Sequence, residues 1–310
     1  NGPVAGSAAS GGSIAADAGG PSAGSGTAGM TAPVAGMSAP DGGVMMGAGA
    51  CCKDGDCLCH GDPPAAPTSS AGPFKTESYD ITSAGCVYYP TDAKPPFAAV
   101  TISDGFGGSG GCGPAQTNQW GPLYASWGIV AMIIHTGSGD QPNQRGTKLS
   151  AAVEAFKKEN EKSDSPLKGK LSGRYGTSGF SMGGGGTTFA AAKDPTLKTN
   201  VGIMAWGPTS SPIKVPSLFI FGSSDTLANT MGMAPYRSIS GDVPKMAVTV
   251  NSGHAGQPSS GGGGSGKAGL AFQKVFLEGD ERWLPVLNMI KADDKANIEW
   301  SAVVSRFIPV

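Results

Sequence analysis

The sequence predicts an α/β domain with a doubly wound, mostly parallel sheet and helices on both faces, preceded by a disordered tether. Most strand candidates are continuous apolar runs, which is typical of parallel strands buried on both faces. These runs alternate with helix candidates along the chain, and this order builds such a sheet. The tether is indicated by composition, because residues 1–72 consist mainly of Gly, Ala, Ser and Pro.

Composition divides the chain at about residue 72. Residues 1–72 carry too few apolar side chains to offset the conformational entropy lost on folding. Residues 73–310 have the length of one ordinary domain. The net charge of −1 comes without a basic stripe, which argues against nucleic acid as a partner. No apolar run approaches the length of a membrane span.

Seven segments rich in β-branched and other apolar residues are predicted as strands. They are Cys86–Tyr89, Phe97–Ser103, Gly128–His135, Arg174–Phe180, Val201–Ala205, Val215–Phe221 and Lys245–Val250. Four further segments are predicted as helices: Lys148–Asn160, Gly184–Lys193, Met231–Ile239 and Lys267–Glu278. In the first of these helices, Leu149, Val153 and Phe156 fall on one face. After Trp283 we expect a helix and then a short strand or coil.

The six cysteines form two groups, a cluster beside His60 and a pair in the predicted domain. They are Cys51, Cys52, Cys57 and Cys59 in the cluster, and Cys86 and Cys112 in the domain. The irregular spacing of the cluster suits a zinc tetrahedron poorly, so we favour local disulfides in an exported protein over zinc or free thiols. A disulfide between the other two cysteines would fix the loop after Gly105 to the first predicted strand.

Residues 179–183 fit the Gly-x-Ser-x-Gly pattern of a nucleophile elbow. In this motif a serine lies on a strained turn between a strand and a helix, and the glycines allow close backbone approach. A chain with 51 glycines can produce the pattern by chance. Here a predicted strand precedes it and a predicted helix follows it, so Ser181 is the candidate nucleophile.

A serine nucleophile needs a base, and histidine is the usual one. Of the three histidines, His60 lies in the predicted tether, and His135 ends a strand before the serine, where a hydrogen-bonded structural role is favoured. His254 lies in a Gly-rich loop after the last predicted strand. Hydrolases of the α/β-hydrolase fold carry their residues in the order Ser, acid, His, so we predict His254 as the base.

The acid should lie between the serine and the histidine and should follow a strand. Asp225 does so, a tight turn after Val215–Phe221, and would fix the imidazole tautomer. Asp242 is the rival, in what resembles an ordinary turn, and Asp194 is typical of a helix end. We therefore predict Asp225 as the acid.

Acyl transfer also needs backbone N–H donors for the tetrahedral oxyanion. The first predicted donor is Met182, directly after the serine. The second is Phe106, in the Gly-rich loop that follows Phe97–Ser103, for which a plain flexible loop is the alternative interpretation. No metal or organic cofactor is required. Residues 261–268 nearly match a phosphate-binding loop, but Ala268 lacks the required hydroxyl, so a surface loop is favoured.

The same stretches resemble the bacterial cutinases and polyester hydrolases, including the poly(ethylene terephthalate) hydrolases. The resemblance runs from about Val87 to Trp283. It is carried by Val87–Thr91, by Trp120–Gly128, by His135-Thr136 with Asp140-Gln141-Pro142, and by Gly179–Gly186. It implies Asp225 and His254 as acid and base, the N–H groups of Phe106 and Met182 as the oxyanion hole, and Phe106 and Trp206 as opposite walls of the acyl pocket.

The chain also departs from that family. The loop Gly107–Gln119 is longer and carries Cys112, and the C-terminal segment has no cysteine. The resemblance implies a secreted or cell-surface serine hydrolase that cleaves carboxylic esters, polyesters first among them, through an acyl-enzyme. Two alternatives stay open: a small-ester or lactone esterase or an amidase with the same triad, and a non-catalytic binding module. We expect a monomer, with the N-terminal segment as a cell-surface tether.

Overall fold

The computed structural model describes Cys51 and residues 57–208, 212–239, 241–292 and 300–306. Nine strands occur within these residues: β1 (Thr76–Ile81), β2 (Gly85–Pro90), β3 (Phe97–Ser103), β4 (Val130–Ile134), β5 (Leu171–Phe180), β6 (Thr199–Ile203), β7 (Ser217–Gly222), β8 (Lys245–Val250) and β9 (Trp300–Arg306). They form one sheet in the order β1-β2-β4-β3-β5-β6-β7-β8-β9. Strands β3 to β8 are parallel, whereas β1, β2 and β9 pair antiparallel at the two edges. The mostly parallel sheet predicted from the sequence is confirmed.

Helices cover both faces of this sheet, as predicted. The described helices are α1 (Trp120–Ser126), α2 (Pro142–Glu161), α3 (Met182–Lys193), α4 (Asn229–Ser238), α5 (Gln257–Ser260), α6 (Gly263–Phe276) and α7 (Leu284–Ala292), with a 3-10 turn at Glu281–Trp283. Apolar side chains of α1, α6 and α7 join one core cluster, and those of α2, α3 and α4 join a second. None of these helices is long and apolar enough to cross a membrane.

Strand β3 shows why the strands were recognisable as continuous apolar runs. All seven of its residues are buried. Ala98, Val100 and Ile102 belong to one core cluster, and Phe97 and Ala99 belong to the other. Because successive side chains of a strand point to opposite faces, a strand covered on both faces has no polar side left to alternate with.

The predicted boundaries differ from the observed ones where polar residues take part. Strand β1 was not predicted, because its side chains are mostly exposed at the sheet edge. Helix α2 begins six residues before the predicted start, with Pro142 in its first turn and the Gln141 N–H donating to Gln144 Oε1 at 2.8 Å. Residues 261–268, predicted as a surface loop, are largely buried and include the first turns of α6.

The predicted tether lies largely outside the described residues, but residues 57–72 are described and pack on the domain. His60 is buried, with Nδ1 2.7 Å from Glu278 Oε1 and Nε2 2.8 Å from the Lys94 carbonyl oxygen. The indole N–H of Trp127 donates to the carbonyl oxygen of Ser70 at 3.0 Å. The structured part therefore extends beyond the predicted start at residue 73. The low apolar content of residues 1–72 gives no sign of this attachment, because it is made by the His60 side chain and by hydrogen bonds to backbone groups.

A buried ion pair lies under this attachment. Lys274 and Glu278 are fully buried, one turn apart, and their charged groups are in direct contact. The ammonium group of Lys274 also donates to the carbonyl oxygens of His60 at 2.6 Å and Trp127 at 3.0 Å. Such a pair is tolerated in a core only when further hydrogen bonds satisfy both ions, as they do here.

Two disulfides link the described cysteines, Cys51–Cys59 and Cys86–Cys112. Cys57 is disulfide-bonded as well. The prediction of local disulfides is therefore confirmed for the described cysteines of the cluster. The Cys86–Cys112 disulfide joins β2 to the loop that follows β3, as predicted.

Neutralising Glu278 should destabilise the fold strongly. In Glu278→Gln the Lys274 ammonium stays buried without its counter-ion, and we expect a loss of about 3–5 kcal/mol in the free energy of unfolding. Chemical denaturation measures this loss. The matched control is Glu154→Gln, which removes an exposed pair with Lys157 and should cost less than about 1 kcal/mol. Equal losses in the two variants would contradict the assignment.

Candidate active site

Ser181 lies between β5 and α3 in a strained backbone conformation. Its φ is 53° and its ψ is −119°, outside the regions that residues with a Cβ favour. The Ser181 N–H donates to the Ile203 carbonyl oxygen at 2.8 Å. Its carbonyl oxygen accepts from the N–H groups of Gly185 and Trp206, both at 2.9 Å. The serine backbone is thus fixed by its own helix and by the end of β6.

Two glycines make this turn sterically possible. A Cβ at Gly183 would lie 2.3 Å from the carbonyl oxygen of Ser103, at the end of β3. A Cβ at Gly179 would lie 2.5 Å from the carbonyl carbon of Gly183. These contacts are too short for any side chain, so the spacing of the sequence motif reflects direct backbone contact across the turn.

The structure brings Ser181, His254 and Asp225 together. His254 Nε2 lies 2.9 Å from Ser181 Oγ, and His254 Nδ1 lies 2.9 Å from Asp225 Oδ2. The other carboxylate oxygen, Oδ1, accepts from the N–H groups of Leu227 at 2.8 Å and Ala228 at 2.9 Å. The Asp225 side chain is fully buried, while that of His254 is 22% exposed. The geometry allows a proton to pass from the serine hydroxyl to a histidine held by a fixed carboxylate.

The other candidates for base and acid lie elsewhere. His135 contacts Asp80 through Nε2 at 2.9 Å, and both side chains are partly exposed. Asp194 accepts from the N–H of Thr196 at 2.9 Å in the turn after α3. Asp242 is exposed in the turn before β8. None of these three contacts the serine.

The two predicted oxyanion donors flank the serine. Met182 is the first residue of α3, where a backbone N–H has no acceptor within the helix. Phe106 follows Gly105, whose Cβ, if present, would lie only 2.7 Å from Ser181 Cβ. The loop after β3 therefore passes directly beside the serine.

Apolar side chains surround this point at different depths. The Phe106 side chain is 68% exposed, and that of Leu227, two residues after the acid, is 59% exposed. Trp206 is partly buried and packs against the core cluster that includes α1 and α6. Leu227 was not predicted from the sequence, although its place two residues after the predicted acid was a usable signal.

Asp104 was also missed, and it organises the loop beside the serine. Its side chain is fully buried. Oδ1 accepts from the hydroxyl of Thr117 at 2.6 Å and from the Thr117 N–H at 3.0 Å. Oδ2 accepts from the N–H groups of Gly110 at 3.1 Å and Gln116 at 3.3 Å. One carboxylate thus closes a loop of more than ten residues. The signal was its place directly after a buried strand.

Arg145, on the buried side of α2, supports the same loop from its other side. Its guanidinium donates to the carbonyl oxygens of Asp104 and Asp140, both at 2.8 Å, and of Gly137 at 3.2 Å. Burial lowers the pKa of Arg145, and the nearby carboxylates of Asp140 and Asp104 oppose that shift. A buried arginine that binds backbone oxygens leaves no pattern in the sequence from which its role could be predicted.

Comparisons with known proteins show which family this chain resembles. A family model described as PET hydrolase-like matches residues 59–303. Bis(hydroxyethyl) terephthalate hydrolase of Streptomyces coelicolor is 29% identical over 238 residues, which cover 70% of this chain and 74% of that protein. Cutinase 2 of Thermobifida cellulosilytica is 30% identical over 209 residues, covering 66% and 77%. Lipase 1 of a Moraxella species is 29% identical over 232 residues, covering 70% and 69%.

Adding a methyl group at Gly183 should disrupt the turn. In Gly183→Ala the Cβ meets the backbone of Ser103, and we expect a loss of about 1–3 kcal/mol in the free energy of unfolding. Denaturant unfolding measures it. Gly139→Ala is the control, because a Cβ there meets no atom within 4 Å. The steric account fails if the two variants are equally stable.

Proposed function

The chain belongs to the PET hydrolase-like family of carboxylic ester hydrolases, and we propose that it cleaves polyester chains through an acyl-enzyme formed on Ser181. The observation that carries the proposal is the hydrogen-bonded series Ser181 Oγ, His254 and Asp225, with both links at 2.9 Å. Relatives named as a cutinase and as a bis(hydroxyethyl) terephthalate hydrolase support an ester of this class as the substrate.

In the proposed first step, Ser181 Oγ attacks the ester carbonyl carbon while His254 Nε2 takes the hydroxyl proton. Asp225 accepts the Nδ1–H hydrogen bond, holds the required tautomer and stabilises the imidazolium that forms. The negative charge moves to the former carbonyl oxygen. The N–H groups of Phe106 and Met182 would receive that oxygen, and such preorganised donors often supply the largest single part of the rate enhancement.

Collapse of this tetrahedral intermediate breaks the ester carbon–oxygen bond. His254 gives its proton to the leaving alcohol oxygen, and the acyl group stays on Ser181. A water molecule then attacks the acyl carbon while His254 accepts its proton, and a second collapse releases the carboxylic acid and restores the serine hydroxyl. Each step balances without a metal or an organic cofactor.

The side chains around Ser181 support an extended apolar substrate. Phe106 and Leu227 lie on the two loops that approach the serine and the acid, and both side chains are mostly exposed. Two exposed apolar side chains at a catalytic centre suit a chain that is bound from solvent rather than a small ligand that must be enclosed. Trp206 would form the more deeply placed wall of the acyl site.

The disulfides support export of the protein. Cys51–Cys59 and Cys86–Cys112 require an oxidising compartment to form and persist. A polymer that cannot enter a cell also requires its hydrolase outside. We therefore propose a secreted or cell-surface enzyme that acts as a monomer, with the segment before the domain as its tether.

Loss of the nucleophile should abolish hydrolysis. Ser181→Ala should reduce kcat on a p-nitrophenyl ester by about 10⁶-fold, and Asp225→Asn by about 10⁴-fold because the imidazole then takes the wrong tautomer. Steady-state kinetics and labelling with a fluorophosphonate measure both effects. Ser83→Ala, at an exposed turn serine, should behave as the parent enzyme. Labelling or turnover retained in Ser181→Ala would refute the proposal.

The polymer and small-ester alternatives differ in their use of Phe106. Release of soluble monomers from a polyester film should fall more in Phe106→Ala than hydrolysis of p-nitrophenyl acetate, because only the polymer spans the exposed rim. Met289→Ala is the control, since Met289 is also exposed but lies on α7, which supplies none of the candidate site residues. A protein that hydrolyses short esters but releases nothing from film would favour the small-ester esterase.

A further inference from the structure

We infer that Gln116 is a positioning residue that orients the Phe106 N–H toward the oxyanion, an inference that rests on the proposed role of that N–H. The Gln116 side chain spans the loop beside Ser181. Its Oε1 accepts from the Gly105 N–H at 2.8 Å, and its Nε2 donates to the Phe106 carbonyl oxygen at 3.0 Å. One amide group therefore holds two backbone groups of this loop.

The two contacts enclose the peptide unit that matters for catalysis. The Phe106 N–H belongs to the planar unit between Gly105 and Phe106, and Gln116 binds the units directly before and after it. The carbonyl oxygen of that central unit accepts from the Gly108 N–H at 3.2 Å. In a trans peptide the N–H points opposite to the C=O, so these three hydrogen bonds together set the direction of the Phe106 N–H.

Gln116 is itself held in place. Its backbone N–H donates to Asp104 Oδ2 at 3.3 Å, and the next residue, Thr117, is bound to the same carboxylate. Arg145 in turn binds the Asp104 carbonyl oxygen at 2.8 Å. The Gln116 side chain is therefore connected, through Asp104, to a buried carboxylate and to α2. Because the Gln116 backbone is held in this way, its side-chain amide can fix the orientation of Gly105 and Phe106.

The amide of Gln116 suits both contacts. A carboxamide offers one acceptor and one donor in a single plane, whereas an ionised carboxylate has no donor and an alkyl group has neither. The loop needs these two hydrogen bonds because Phe106 is surrounded by Gly105, Gly107 and Gly108, and glycine can adopt many backbone conformations. The exposed Phe106 side chain supplies little packing of its own.

The test compares Gln116→Leu with Gln119→Leu. Gln119 lies on the same loop, has an exposed side chain and makes no capping hydrogen bond to α1. Active sites are titrated with a fluorophosphonate, so that kcat is expressed per reactive serine. Hydrolysis of p-nitrophenyl acetate gives kcat and KM, and a trifluoromethyl ketone, which forms a tetrahedral oxyanion adduct with the serine, gives an inhibition constant.

Gln116→Leu should lower kcat by about 10- to 100-fold, less than the roughly 100- to 1000-fold loss expected when an oxyanion donor is deleted. The inhibition constant of the trifluoromethyl ketone should rise by the same factor, while KM stays within about threefold of the parent value. Gln119→Leu should match the parent enzyme. Gln116→Glu, which is similar in size and keeps only the acceptor, should also lose kcat and carries the test if the leucine variant does not fold.

Three results would overturn the inference. The first is a kcat for both Gln116 variants equal to that of Gln119→Leu. The second is a lower kcat with unchanged binding of the trifluoromethyl ketone. The third is a loss of activity per mole of protein that disappears when the activity is expressed per titrated serine, which would indicate a structural role alone. None of these three results would contradict the proposed function. That proposal is contradicted only if Ser181→Ala remains active.

Discussion

The backbone at Ser181 is held at a φ of 53°, and the architecture around it depends on keeping that conformation. A residue with a Cβ at positive φ costs of order 1–3 kcal/mol and persists only where its surroundings over-determine it. Here the Ser181 N–H donates to Ile203, and its carbonyl oxygen accepts from Gly185 and Trp206. Gly183 lies against the backbone of Ser103. The ends of β3, β5 and β6 must therefore meet at one point. This strained conformation holds the serine hydroxyl clear of its own backbone.

The parallel sheet supplies the other groups at the same edge. Carboxyl ends of neighbouring parallel strands lie side by side, so loops that follow them converge without any long excursion of the chain. The candidate oxyanion loop follows β3, the serine follows β5, Asp225 follows β7 and His254 follows β8. Residues as far apart in the chain as Gly105 and His254 therefore both lie directly beside Ser181. The order Ser, acid, His is a consequence of this strand order.

This geometry explains which parts could be predicted from the sequence. Buried strands leave apolar runs, and the elbow leaves a glycine spacing, so β3, β8 and Ser181 were recognisable. His254 and Asp225 followed from their order along the chain. In contrast, Arg145 acts on backbone carbonyl oxygens, which every residue possesses, so no partner residue marks its role. The attachment of His60 was not predicted for a related reason, because composition averaged over residues 1–72 hides one buried side chain.

The loop after β3 must meet two demands that normally oppose each other. Under the proposed mechanism Phe106 contributes a side chain open to a polymer, which favours exposure, and a backbone N–H whose direction must be fixed before the reaction. Exposed loops rich in glycine are ordinarily mobile. Here side chains other than that of Phe106 fix its backbone. The Gln116 side chain binds Gly105 and Phe106, the Asp104 carboxylate binds residues further along the loop, and the Cys86–Cys112 disulfide ties the loop to β2. The Phe106 side chain is thereby left free to meet substrate, and rigidity and exposure are carried by different residues.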